Sequence, residues 1–210
     1  MTHYDVAIIG AGPAGMGAAE EAAKAGLSTL VLDEQSDPGG QIYRAIENVR
    51  NVFLVATDKD YAAGLPLTRA FRAADVTYIP DALVWNIDPA LTLNYSVKGV
   101  PADASADYLI VASGAVERAS PLPGWTLPGV TTVGALQILL KSHSLVNNDV
   151  VLVGSGPLMY VVACQMLDTG MPPRAIVETS GMSEIVKALP LLPEALRGGI
   201  GRLFKGLGLL

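Results

Sequence analysis

Cysteine is almost missing from this sequence: Cys164 is the single one in 210 residues. No internal disulfide can form, and no Cys-x-x-Cys pair exists to pass electrons as a dithiol. Histidine is scarce as well. His3 and His143 stand alone, with no Cys/His/Asp cluster at metal-ligand spacing, so no metal site is expected. Charged residues are only 16% of the chain, and the net charge of −6 with a pI near 4.8 argues against nucleic acid, whose phosphates require clustered Lys and Arg. Long apolar runs are lacking too. Mean hydropathy is +0.40, yet no run reaches the roughly 18 to 20 residues of a membrane span, and Gly154-Ser155-Gly156-Pro157 interrupts the most hydrophobic stretch. There is no Gly-x-Ser-x-Gly elbow and no metalloprotease helix. No residue stands out as an acid/base catalyst. The first strand begins almost at Met1 and leaves no room for a signal peptide, so the expected compartment is the cytoplasm.

What is present is hydrophobic and glycine-punctuated. Half the residues are hydrophobic, which fits a folded α/β chain with one good core or a domain and a half. Val6 to Ile9 reads as a buried parallel strand. It breaks at Gly10-Ala11-Gly12-Pro13-Ala14-Gly15 into an Ala-rich helix, Pro13 to Ala25, and Gly26 ends that helix. A second strand, Ser28 to Leu32, closes on Asp33, 23 residues past Gly10. Each part has a mechanical task in holding a dinucleotide. Gly10 permits the tight turn, Gly12 lets backbone approach a pyrophosphate, and Gly15 lets helix pack on strand. The helix N-terminus offers unpaired N–H groups to phosphate, and Asp33 can accept from a ribose hydroxyl.

The same grammar recurs later in the chain. Val150 to Val153 is followed by Gly154-Ser155-Gly156-Pro157-Leu158-Met159, a helix to Leu167, and a strand Ala175 to Val177 that ends on Glu178, 24 residues after Gly154. Met159 replaces the third glycine and should push the helix outward. Nicotinamide nucleotide binding at Gly154, Gly156 and Glu178 therefore stands beside a second reading, a retained scaffold.

Adenosine diphosphate is common to FAD and NAD, so the first turn alone does not choose the cofactor. The loop that follows, Asp33-Glu34-Gln35…Pro38-Gly39-Gly40-Gln41-Ile42-Tyr43-Arg44, resembles the two-dinucleotide-domain flavoproteins, the glutathione and thioredoxin reductase superfamily. It is closer still to one branch, the FAD-containing alpha subunits of multi-subunit dehydrogenases, which includes D-hydroxyproline (proline) dehydrogenase, opine oxidase and hydrogen cyanide synthase. The resemblance implies a Rossmann-like FAD-binding three-layer ββα domain and the start of a second, NAD(P)-binding Rossmann-like domain. It also implies FAD contacts from Gly10, Gly12, Pro13, Ala14, Gly15, Asp33, Glu34, Gln35, Gly40 and Gln41. Backbone near Leu83 and Val84 would meet the adenine. Asp107 to Ala115, read as a buried strand ending in small residues, is similar to the family's second fingerprint, with Ala112, Ser113 and Gly114 close to the FAD.

Between these motifs, Arg44 to Arg50 and Tyr61 to Ala74 carry helical spacing, with a core-facing stripe of Leu67, Ala70, Phe71 and Ala74. Val76 to Ile79 reads as a strand. Ala82 to Ile87 and Leu91 to Val97 read as a meander about Asp88-Pro89-Ala90. The Pro/Gly-rich segment from Pro121 to Val130 cannot be helix or central strand and is the expected linker. Trp125 there reads as the anchor of a turn, and Cys164 as a small residue on an apolar helix. The expected domains are residues 1–118 for FAD, 119–148 for a linker with the helix Val133 to Lys141, and 149–210 for part of the second domain. Residues 190–210 read as a basic amphipathic helix, of a kind that can lie on a membrane surface but here is expected to dock on its own or a partner's core.

The family continues beyond this length, through a later Gly-Asp segment that holds part of FAD, so the resemblance implies either a fragment or a short chain that a partner completes. The implied function is an FAD-binding oxidoreductase subunit of an amino-acid or opine dehydrogenase, with a small-molecule substrate and either a partner subunit or a second copy. Two alternatives stand beside it: an NAD(P)H-dependent reductase of a small electron carrier, and a non-catalytic assembly module.

Overall fold

The computed structural model describes residues 1–47, 58–119, 121–143 and 149–181, with Ser183, Lys187 and Pro190. The chain divides into two compact units, Met1–Val116 and Glu117–Leu210.

The first unit runs β1 (Thr2–Ile9), α1 (Pro13–Lys24), β2 (Thr29–Leu32), α2 (Lys59–Ala62), α3 (Gly64–Ala73), β3 (Thr77–Ile79), β4 (Ala82–Ile87), β5 (Thr92–Val97) and β6 (Val100–Val111). Its six strands lie in the order β3-β2-β1-β6-β5-β4. The first four are parallel, with Ile8 opposite both Val31 and Ile110. β4, β5 and the first half of β6 form an antiparallel meander. β6 therefore belongs to both parts: Val100 to Ser105 pair with β5, and Ala104 to Val111 pair with β1.

Side chains alternate along each strand, which gives the sheet two packing faces. Val6, Ile8 and Val31 meet Met16 and Ala19 of α1 and Phe71 of α3, where Leu67 also packs. Phe71 is fully buried, edge-on to Tyr78 with ring centroids 5.2 Å apart. Truncating it to Ala would cost about 3 to 5 kcal/mol. The opposite face carries Ala7, Leu30 and Leu32 against Ala82, Leu93 and Tyr95 of the meander. Meander, sheet and helices are thus three layers around two apolar seams.

Two features of β6 differ from the sequence reading. β6 starts at Val100, not Asp107, because Lys98 (φ 51°) and Gly99 (φ 83°) form a two-residue hairpin turn that hands β5 to β6. The strand is also not buried throughout. Tyr108 is 71% exposed on the face it shares with Val6, where α1 packs on β1 and β2, and Val111 is 63% exposed on the opposite face, which it shares with Ile9. The helical spacing from Tyr61 to Ala74 falls on two helices, the first starting earlier, at Lys59, with Asp58 capping it through Asp60 and Tyr61 N–H groups. Pro66 falls in the first turn of the second helix, where a missing N–H is tolerated. The expected helix from Arg44 runs as turns to Glu47, and its remainder lies outside the described residues.

The second unit contains α4 (Val133–His143), β7 (Val151–Gly154), α5 (Pro157–Asp168) and β8 (Ala175–Glu178), with β7 and β8 parallel. Leu136, Leu152, Met159, Val162, Ala163 and Met166 form its core. The Glu117 carboxylate accepts the Gly134 N–H at 2.7 Å and so caps the start of α4. The Pro/Gly segment has neither helix nor strand and is built from turns such as Trp125 N–H to Leu122 C=O at 2.9 Å. Trp125 itself is half exposed. Cys164 is partly buried, and burial pushes its thiol up. Apart from Pro190, the expected amphipathic helix at 190–210 lies outside the described residues. Among the described residues no helix is long and apolar enough to cross a membrane, and no group of His, Cys, Asp and Glu could hold a metal.

Candidate dinucleotide-binding site

The carboxyl ends of β1, β2 and β6 meet at the first glycine turn. Gly10 has φ +100° and donates to Leu32 C=O at 2.7 Å, while Ala112 donates to Ile9 C=O at 2.8 Å. A Cβ at Gly10 would stand 2.4 Å from the Ala112 carbonyl oxygen. Gly10 is therefore needed for the close approach of β6, and the turn and the Ala112-Ser113 fingerprint are neighbours. Gly15 has a different task. Its added Cβ would lie 1.8 Å from the Gly10 carbonyl oxygen, so the third glycine lets α1 sit on its own turn.

Gly12 is required by neither constraint. Its φ of −72° suits any residue, and an added Cβ would touch only Gly40 Cα, at 3.8 Å. Facing it, Gly40 has φ +59°, and its own added Cβ would be 2.9 Å from Gly12 Cα. Two bare backbones thus oppose each other, joined below by Gly39 N–H to Ala11 C=O at 2.8 Å. α1 begins there with Pro13 in its first turn, an exposed Ala14 and no side-chain cap, so its N-terminal N–H groups are left for an anion.

Asp33 lies at the end of β2, 6% exposed. Its Oδ2 accepts the Ala11 N–H, and its Oδ1 accepts the Gln35 N–H at 2.8 Å. A carboxylate has about four lone-pair sites, so two further acceptor directions remain for a ribose. The Asp33 carbonyl accepts Ala82 N–H at 2.8 Å, which sets the start of β4 beside the acid. Val84, however, packs into the core, so only its backbone is available near adenosine. Glu34 is exposed and accepts the Gln35 side-chain amide at 3.1 Å. The exposed Gln41 donates to Ala115 C=O at 3.1 Å, tying the Gly-Gly loop to the segment after β6, where Ser113 and Gly114 are exposed.

One residue of this loop had no role in the sequence reading. Arg44 donates from Nη1 to the Gln35 Oε1, while Tyr61 donates to the Arg44 carbonyl at 2.6 Å. The available signal was a lone basic residue four places after the second loop glycine, which is not enough to assign a role.

The second turn is not a copy of the first. Gly156, at the N-cap position, has φ +98° where Gly12 is extended, and Gly154 has φ +158°. Met159 does not stand in an open groove; it is 3% exposed and packs in the core, its Sδ 3.9 Å from where a Gly154 Cβ would be. Glu178 has two partners, the Ser180 N–H at 2.9 Å and the Tyr160 hydroxyl at 2.8 Å. Together these hold its carboxyl below the usual range, and the Tyr160 phenol is pushed up by its bond to Glu178.

The profile of the pyridine nucleotide-disulphide oxidoreductase family matches residues 4–195. The chain is 42% identical, over its whole length, to one of the opine oxidase subunits of Rhizobium meliloti (strain 1021), and spans 46% of that protein. It is 32% identical to hydrogen cyanide synthase subunit HcnB of Pseudomonas aeruginosa, with 93% of this chain and 44% of that one aligned. L-proline dehydrogenase from P. horikoshii shares the fold, with a TM-score of 0.69 at 18% identity over 84% of this chain and 36% of that one. The chain spans less than half the length of these relatives. The glycine turn, the acid at the end of β2 and the match along nearly the whole sequence agree: the chain belongs to the pyridine nucleotide-disulphide oxidoreductase family of FAD-dependent oxidoreductases.

Proposed function

We propose that this chain is the FAD-binding part of one component in a dehydrogenase or oxidase complex that acts on an amino acid or an N-substituted amino acid such as an opine. The observation that carries the reading is the close contact of Gly12 and Gly40, two backbones without side chains beside a helix N-terminus that has no side-chain cap. Gly10, Gly12, Pro13, Ala14 and Gly15 would hold the pyrophosphate, Asp33 with Glu34 and Gln35 the adenosine ribose, and Ala112, Ser113, Gly114, Gly40 and Gln41 the flavin side. FAD, when bound, supplies the two-electron chemistry, and the protein supplies position and electrostatics.

The Gly-Gly loop continues as Gln41-Ile42-Tyr43-Arg44 without cysteine, so no dithiol can relay electrons there. With FAD bound, the two electrons would pass to an acceptor other than a dithiol of these residues. The opine oxidase and hydrogen cyanide synthase relatives are subunits, which supports a partner subunit that carries the substrate site. At the second turn, Glu178 is already bonded to Tyr160, which favours a scaffold over a working NAD(P) site.

The test is reconstitution of the chain with FAD, followed by dye-linked oxidation of opines and proline analogues in the presence of candidate partner subunits. Stoichiometric flavin and substrate-dependent dye reduction are expected. Flavin binding with NADH-dependent, amine-independent dye reduction would replace this reading by a nicotinamide-dependent reductase, and no flavin binding by an assembly module.

A further inference from the structure

Arg44 is the one basic side chain of the first unit, among the described residues, that is not exposed, and no carboxylate there lies within 4 Å of it. Exposed Lys24, Arg72 and Lys98 all have acidic partners. The Arg44 Nη1 donates to a neutral amide, that of Gln35, and its Nε is buried with no partner. A half-buried guanidinium held in this way is costly unless a counter-charge arrives. Its place in the chain says where that charge comes from. Arg44 follows the Gly39-Gly40 loop that faces Gly12, and Gln35, which it holds, also donates its backbone N–H to Asp33. The glycine turn has no cation of its own, while the ligand proposed for it carries a doubly charged pyrophosphate.

We propose that Arg44 is an anion-recognition residue of the dinucleotide site, supplying the positive charge for the ligand's phosphates and fixing the Gln35 amide as a donor; this rests on the dinucleotide reading above. Because Arg44 occupies the Gln35 Oε1, the Gln35 NH2 points away from it, and it now donates to Glu34. Asp33 then presents acceptors to the ligand and Gln35 a donor, while Arg44 balances charge.

The experiment compares the full chain with Arg44→Gln, Arg44→Lys and Arg69→Gln, the last at an exposed position, by calorimetric titration with FAD, ADP and adenosine at low and high salt. Arg44→Gln should weaken FAD and ADP about tenfold, leave adenosine within about twofold, and flatten the salt dependence of ADP binding. Arg44→Lys keeps the charge and should retain ADP within about threefold, and Arg69→Gln should change nothing. Equal losses for ADP and adenosine, or an unchanged salt dependence in Arg44→Gln, would overturn the assignment. If Arg44→Gln does not fold, a tenfold loss of ADP affinity in folded Arg44→Lys would overturn it as well. Failure of the unaltered chain to bind FAD or ADP would sink the dinucleotide reading itself, and Arg44 with it.

Discussion

The carboxylate of Asp33 accepts the backbone N–H of Ala11, 22 residues earlier in the chain, and so clamps the end of β2 to the middle of the glycine turn. This acid is a structural member of the turn before any ligand arrives. Asp33→Asn keeps the shape but leaves a single oxygen for two N–H donors. It should lower the unfolding free energy by about 1 to 3 kcal/mol and weaken FAD by a comparable amount. Urea unfolding and flavin titration read the two losses separately, and unchanged values in both would remove Asp33 from clamp and site alike.

Gly15 and Gly12 should respond in opposite ways to the same methyl group. Gly15→Ala puts a carbon 1.8 Å from the Gly10 carbonyl oxygen, so α1 must move off its turn at a cost of roughly 3 kcal/mol or more. Gly12→Ala makes only an ordinary contact with Gly40 Cα at 3.8 Å, and its unfolding free energy should stay within about 1 kcal/mol of the unaltered chain. Its FAD affinity should nonetheless fall at least about tenfold, roughly 1.4 kcal/mol, because the methyl stands where a pyrophosphate would approach the Gly12 backbone. A Gly12→Ala protein that binds FAD normally would place the cofactor elsewhere.

The Tyr160–Glu178 bond makes a pH prediction for the second unit. Ser180 N–H and the Tyr160 hydroxyl hold Glu178 below its ordinary value of 4.5. A depressed carboxyl stabilises the fold above its unfolded value, and that contribution is lost as pH falls through the folded one. Tyr160→Phe removes the second of these two causes. The Glu178 carboxyl, followed by carbon NMR, should titrate at a higher pH in that variant; an unmoved titration would mean the bond is absent in solution.

Lys98 adopts φ 51° in the hairpin between β5 and β6, a conformation Asn accepts more readily. Its ion pair with Asp81, at 3.6 Å and exposed, contributes little. Lys98→Asn should therefore stabilise the first unit by roughly 0.5 kcal/mol, read as a small rise in denaturation midpoint. A fall would show that the ion pair outweighs the backbone preference.

The local elements were legible because they depend on neighbours in sequence. Val6 to Ile9 must be a strand, Gly10 must turn, and Pro13 can open a helix whatever lies elsewhere; those rules placed both glycine turns and both terminal acids. The jobs of Gly10 in the turn and Gly15 beneath the helix could be named in advance, since both follow from backbone geometry. Tertiary structure alone decided which carbonyl presses on Gly10, that Gly40 packs against Gly12, and that Arg44 reaches Gln35. These are contacts between segments whose separation in sequence carries no periodic signal. The same holds for Tyr108: its strand pattern looked buried, but burial depends on which helix lies above, and α1 stops one strand short of β6. In the second unit the Met159 substitution was visible in the sequence, whereas its burial in a core and the bond between Glu178 and Tyr160 required the packed helix, because only packing determines which way a side chain turns.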